Sequence, residues 1–206
     1  MTPVTSRRSD AGRGRSPIYI NMRFLTQPLS GMQRYAEELI SALDNILVQA
    51  GAPPRAPLIG LVPPGKRRTR DWKHINVRQF GSLKGHAWEQ VELAMAARNG
   101  TLVSLAGSGP LAHSRQVFAA HDANLAKNPH YFSRSYRALH GVLRPRLIRK
   151  AADLVTISNF SAYELSTAYH VDKSRFHIIH DSAEHILSRQ SDLSVLEKNG
   201  LTKKGY

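Results

Sequence analysis

The sequence predicts an α/β domain: a Rossmann-like, mostly parallel sheet with helices on both faces. Two observations carry this. Short, apolar, β-branched runs recur along the chain, and helix-length stretches lie between many of them. Strands joined by helical crossovers pair in parallel and are covered on both faces. The first strand is PIYINM (17–22), and a polar turn, RFLTQPLSG (23–31), leads from it into an amphipathic helix over 31–49. Strands follow at PLIGLV (57–62) and INVRQF (75–80), separated by a proline-led cationic loop, VPPGKRRTRDWK (62–73). A helix over about 86–98 precedes the strands TLVSLA (101–106) and QVFAA (116–120). A helix over about 131–150, the strand DLVTIS (153–158), a helix over about 160–169 and the strand RFHIIH (175–180) complete the pattern.

Composition bounds the function. A chain of 206 residues with 41% hydrophobic and 21% charged residues is enough for one full-sized core. Lysine and arginine total 29 against 15 acids, a formal charge of +14. That excess favours an anionic partner: nucleic acid, acidic lipid headgroups or a phosphorylated substrate. The absence of cysteine excludes disulfides, thiolate metal sites and thiol catalysis, and it permits a reducing compartment. Residues 1–16 are basic and lack an apolar stretch, so they read as a disordered tail without a complete export signal. No apolar run reaches the roughly 18 residues of a spanning helix, and any membrane contact is expected to be peripheral. Residues 17–183 form the expected domain, and 184–206 a connector with one short helix near 192–199.

Ligands of open parallel sheets bind beyond the carboxyl ends of the strands, often at the first strand-to-helix turn. Here Ser30 is placed to cap the first helix, and Gly31 removes a side chain where a pyrophosphate would approach. The local pattern also fits a capped helix start with no ligand, since no G-x-G-x-x-G is present.

Five blocks in order, YINMRFLTQPLSGMQRYAEEL, GHAWEQVEL, SLAGSGPL, AAHDANLAKNPHYFS and ADLVTISNFSAYEL, resemble the N-terminal domain of bacterial family-four glycosyltransferases. The resemblance runs from about residue 17 to 206. It implies the GT-B architecture, two Rossmann-like domains facing a cleft, and a retaining transfer of sugar from a nucleotide-sugar donor to a glycan or lipid-linked acceptor. It also implies a role in bacterial surface polysaccharide synthesis in the cytoplasm, at the inner face of the plasma membrane, with no cofactor. By the same resemblance a separate C-terminal domain holds most of the donor site, so this chain is expected to be inactive alone. Gly31 matches the glycine that approaches the donor diphosphate. His121, at the end of the strand 116–120, matches a histidine that touches the donor sugar or stabilises charge in the cleft. The family often has a small residue at the position of Met22, and commonly an asparagine at that of Gly107 or Ser108.

Each candidate residue has a structural alternative. His121 is the catalytic candidate, or else a hydrogen-bonded histidine closing a strand; Asp122, its neighbour on extended chain, points to the other side and has a turn role. In GHAWEQ, His86, Trp88 and Glu89 are acceptor-binding candidates: Trp88 to stack on a sugar face, Glu89 to accept from a hydroxyl, or else to complement a helix dipole. Ser158 is a cleft hydroxyl or a helix cap. The acid pairs Glu164 with Asp172 and Glu184 with Asp192 mimic the family's donor-gripping acids, but that motif belongs to the second domain. No metal site is expected, since His177 and His180 fall on opposite faces of a strand.

Basic residues cluster at 66–73 and at 134–150. In the second cluster Arg134, Arg137, Arg144, Arg146, Arg149 and Lys150 alternate with an apolar stripe of Phe132, Tyr136, Leu139 and Leu143, interrupted or kinked near Pro145. It reads either as a core helix with a solvated face or as a surface for anionic lipid or a lipid-pyrophosphate acceptor. The competing function class is a non-enzymatic basic module on membrane or nucleic acid. No helix-turn-helix, zinc-finger or RNP pattern supports nucleic acid.

Overall fold

A computed structural model describes residues 15–183, 186 and 194–201. Seven strands form one sheet in the order β3-β2-β1-β4-β5-β6-β7, and every adjacent pair is parallel. They are β1 (Ile18–Asn21), β2 (Leu58–Val62), β3 (Ile75–Gln79), β4 (Thr101–Ser104), β5 (Gln116–Ala119), β6 (Asp153–Thr156) and β7 (Phe176–Ile178). All seven fall inside the expected runs. Strand order reverses between β1 and β4, so their carboxyl ends diverge and open the crevice typical of a doubly wound sheet.

Strand alternation assigns the two faces. Ile20, Leu58, Ala119 and Val155 point to one side and pack with Ala36 and Ile40 of α1 (Gly31–Gln49). On the other side Leu61 and Leu102 pack with Trp88 and Leu93. Phe118 and Leu154 pack there with Leu143, Leu147 and Ile148 of α5 (Arg134–Lys150) and Leu165 of α6 (Asn159–Tyr169).

Four details refine the expectations. The helix at 86–98 is composite: α2 (Gly85–Trp88) passes into a π-helical stretch, Glu89–Leu93, and then α3 (Ala94–Ala96). The helix at 131–150 is split into α4 (Asn124–Lys127), a 3-10 turn at Pro129–Tyr131, and α5, which Ser133 caps by accepting from the Tyr136 amide at 3.3 Å. α5 runs through Pro145 without interruption. The 62–73 loop is not a free cationic patch: Arg68 and Arg70 both pair with the buried Glu37 of α1, and Arg68 also donates to the carbonyls of Phe24 and Gln27.

Met22 is fully buried, and Gly60 beside it on β2 makes room, since a Cβ there would collide with the Met22 sulfur. The larger residue at 22 is thus accommodated inside the core. Most of the expected tail, 1–14, and the pair Glu184 with Asp192 lie outside the described residues. Within the expected connector, α7 (Ser194–Lys198) coincides with the short helix near 192–199. Among the described residues, no helix is long and apolar enough to cross a membrane.

Candidate functional site

The carboxyl ends of β1 and β4 hold a buried polar network. Asn21, the last residue of β1, donates to Glu89 at 2.6 Å, and Arg23 donates to the same carboxylate oxygen at 3.3 Å. Ser108, beyond β4, donates to Glu89 at 2.9 Å and accepts from the Arg23 guanidinium at 2.7 Å. His86 Nδ1 lies 3.1 Å from the other Glu89 oxygen. Burial alone would raise the Glu89 carboxyl, but His86, Arg23 and Asn21 outweigh it and hold it below its usual range. Glu89 is therefore an anion at neutral pH, with no solvent exposure.

The network forms one wall of an open cleft of about 440 Å³. Arg23, Gln27, Met32 and Gln33 line it from the first turn, Ala106, Gly107 and Ser108 from the loop after β4, and Tyr136, His140 and Arg144 from α5. Gly107 has φ +71°, the left-handed region that glycine and asparagine populate with least strain. Gln90 pins the same loop, donating to the Gly109 carbonyl at 2.8 Å and accepting from the Leu111 amide at 3.0 Å. Arg144 is 7% exposed, with Tyr136 Oη at 3.4 Å and Asp122 at 3.8 Å. It is not part of a solvated basic face. His140 stacks on Tyr136 with centroids 4.1 Å apart and meets His86 edge-on at 5.1 Å. Burial, then the neighbouring cations, push its pKa down to about 4, so it is neutral at pH 7.

The sequence-predicted residues divide. His86 lines the cleft. Trp88 does not: it is fully buried and donates its indole N–H to the Phe80 carbonyl at 3.1 Å, so it offers no ring face to a sugar. Glu89 lies beneath the cleft floor, where it orients Arg23, Asn21 and Ser108 and is withdrawn from any acceptor hydroxyl. Ser158 caps α6, accepting from the Ser161 amide at 3.0 Å and donating to the Ser161 hydroxyl. Its alternative as a free cleft hydroxyl is replaced by that capping role.

Gly31 starts α1, and a Cβ there would meet nothing within 4 Å. No side chain caps this helix; the Ser30 hydroxyl instead donates to the Gln33 side-chain oxygen. Gly31 borders a second depression with Arg34, Tyr35, His180 and Asp181, on the other side of α1 from Met32 and the cleft.

His121 follows β5 on the α1 side of the sheet, edge-on to the Tyr35 ring at 4.7 Å. Its Nε2 lies 2.9 Å from the Leu105 carbonyl oxygen, which can only accept, so Nε2 carries the proton and Nδ1 is the acceptor. Burial lowers its pKa and keeps the ring neutral. Asp122 turns away and accepts from the Asn124 amide at 2.8 Å, the turn role read from the sequence. Sequence reasoning missed Asn21, Arg23, Ser108, His140 and the burial of Arg144. Their only signal was position at a strand end or on the α5 face. Among the described residues, no three His, Asp or Glu side chains gather into a metal-holding group.

Comparison with models of protein families and with curated proteins returned no match, so the site is read from its own geometry.

Proposed function

We propose that this chain is the acceptor-side domain of a retaining glycosyltransferase, serving transfer of a sugar from a nucleotide-sugar donor to a glycan or lipid-linked acceptor in bacterial surface polysaccharide synthesis. The observation that carries the reading is the polar cleft at the strand-order reversal, whose wall is fixed by the buried Glu89 network. Glycosyl transfer needs a positioned acceptor hydroxyl, a group that takes or shares its proton, and stabilisation of the leaving diphosphate. The cleft supplies fixed donors for the first. His121, neutral and with Nδ1 as an acceptor, suits the second. The uncapped first-turn amides of α1 beside Gly31 suit part of the third, and a facing domain supplies the rest.

A lipid-linked acceptor brings a membrane with it, and one rim of the domain fits that setting. Tyr131 and Phe160 are each 72% exposed. The Lys127–Glu164 ion pair ties the elements that carry them, and Arg134 follows at the start of α5. Exposed aromatics beside cations suit the interface of an anionic bilayer. This surface replaces the stripe read from the sequence, in which Leu143 is buried and Tyr136 is stacked on His140.

The test is His121→Ala in a two-domain enzyme completed by fusing a donor-binding domain after Tyr206. The expected result is a kcat loss of about 10²-fold or more with little change in Tm, because the contact matters most in the transition state. Near-normal kcat with a much lower Tm reduces His121 to a strand-end anchor and removes the catalytic reading. Turnover of UDP- or GDP-sugars by the 206-residue chain alone refutes the need for a facing domain.

A further inference from the structure

We infer that the cleft between Arg23 and Arg144 binds a phosphoryl group carried by the acceptor. The inference rests on the acceptor-side reading above and specifies the chemistry of that ligand.

The lining carries the argument. Its ionisable groups are Arg23, His86, Tyr136, His140 and Arg144, joined by the hydroxyls of Ser108, Ser133 and Ser135, and no carboxylate lines it. A pocket for a neutral sugar ordinarily offers acceptors to hydroxyl protons, whereas this lining is rich in donors. Glu89 neutralises Arg23 from below, so the unbalanced charge is that of Arg144, whose nearest carboxylate, Asp122, is half exposed and 3.8 Å away. A guanidinium has five N–H donors in a fork that matches phosphate oxygens. Arg23 commits Nε to Glu89 and one Nη2 proton to Ser108, leaving others for a ligand.

His140 is an independent pointer. It is 6% exposed, and its Nδ1 is buried without a hydrogen-bond partner. Five groups face it: Arg23 from the first turn, His86 from α2, Glu89 from the π-helical stretch, and Tyr136 and Arg144 from α5. Burial and the surrounding cations disfavour its protonation; an anion in the cleft offsets the cations and raises its pKa. Binding is then coupled to proton uptake and strengthens as pH falls.

The experiment is calorimetric titration of the full 206-residue chain with inorganic phosphate, glucose 1-phosphate, UDP and a neutral methyl glucoside. Sulfate serves in the pH series because its charge stays fixed. Phosphate and glucose 1-phosphate should bind, Arg144→Gln should weaken both at least 10-fold, and Arg146→Gln, on the exposed face, should change them less than 2-fold. Sulfate affinity should rise severalfold from pH 7 to pH 5, and His140→Gln should flatten that rise. In the unmodified chain, phosphate should shift the amide resonances of Gly107 and Ser108, which tests the site even if Arg144→Gln does not fold. Equal losses in the two arginine variants, or no shift at Gly107 and Ser108, overturn the site in favour of diffuse attraction to a basic protein. Methyl glucoside binding there as well as glucose 1-phosphate overturns the anion inference and leaves the acceptor reading standing. UDP displacing phosphate from the cleft more strongly than glucose 1-phosphate assigns the phosphoryl group to the donor and overturns the inference. Failure of every sugar and phosphate to bind removes the acceptor reading as well.

Discussion

Removing Glu89 tests whether the polar wall of the cleft is held by charge. Glu89 accepts from Asn21, Arg23 and Ser108 and lies against His86, all without solvent exposure of its own. Glu89→Ala leaves Arg23, 9% exposed, without its counter-charge, and it leaves several donors without an acceptor. Breaking a buried pair from one side costs roughly 3–5 kcal/mol. Glu89→Gln keeps the shape and one acceptor oxygen, and exchanges charge-assisted bonds for neutral ones at about 1–2 kcal/mol. With a urea m-value of about 2 kcal/mol/M, the alanine variant should lose roughly 1.5–2.5 M in midpoint, and the glutamine variant less than half of that. Arg23→Met combined with Glu89→Leu should recover much of the loss, because an apolar pair leaves no stranded charge. The acid limb gives a second reading. The folded pKa of Glu89 lies below the unfolded value, so its stabilisation is complete above the unfolded pKa of about 4.3 and disappears as pH falls through the folded one. Glu89→Gln should therefore show a shallower loss of stability on acidification below about pH 5. Midpoints for Glu89→Ala and Glu89→Gln that match each other and lie near the parent would refute the network as the source of the wall's rigidity.

Two further predictions rest on packing and on surface chemistry. Gly60→Ala should cost about 1–3 kcal/mol in denaturant unfolding by driving a methyl into Met22, and Met22→Ala in the same chain should relieve part of it; a neutral Gly60→Ala would show that Met22 has room to move. The full chain should co-sediment with vesicles of phosphatidylglycerol better than with phosphatidylcholine, less so at high salt, and Tyr131→Ser with Phe160→Ser should weaken that binding several-fold. Equal binding to both vesicle types, or none to acidic ones, removes the membrane rim.

The strands were legible because parallel strands covered on both faces appear as uninterrupted apolar runs, as PLIGLV does for β2. α1 was legible to its bounds because Ser30 and Gly31 mark its start and its apolar positions follow the helical period. The interior of the site was not. Asn21 meets Glu89 across 68 residues and Arg23 meets Ser108 across 85, so no local window contains either pair. GHAWEQ was singled out correctly as a segment, but a segment does not state the rotation of its helix, which turns Trp88 and Glu89 inward and leaves His86 at the cleft. Arg144 was counted with its basic neighbours because charge is visible in sequence, whereas burial against Tyr136 and beneath Gly107 is set by tertiary packing.

The π-helical stretch after Trp88 has a consequence for length variation. It sits between two anchors: Trp88 fixes the start of the segment in the core, while Glu92, inside the stretch, accepts from the backbone amides of Ser82 and Leu83. Deleting one residue between Glu89 and Leu93 would let the helix revert to regular α pitch and turn everything downstream by about 100° relative to Trp88. Leu93 and Ala97 would then swing out of the core as Glu92 left its amides. The extra residue works as a phase-setting washer: this helix tolerates exchange of side chains along its outer face far better than any change in its count.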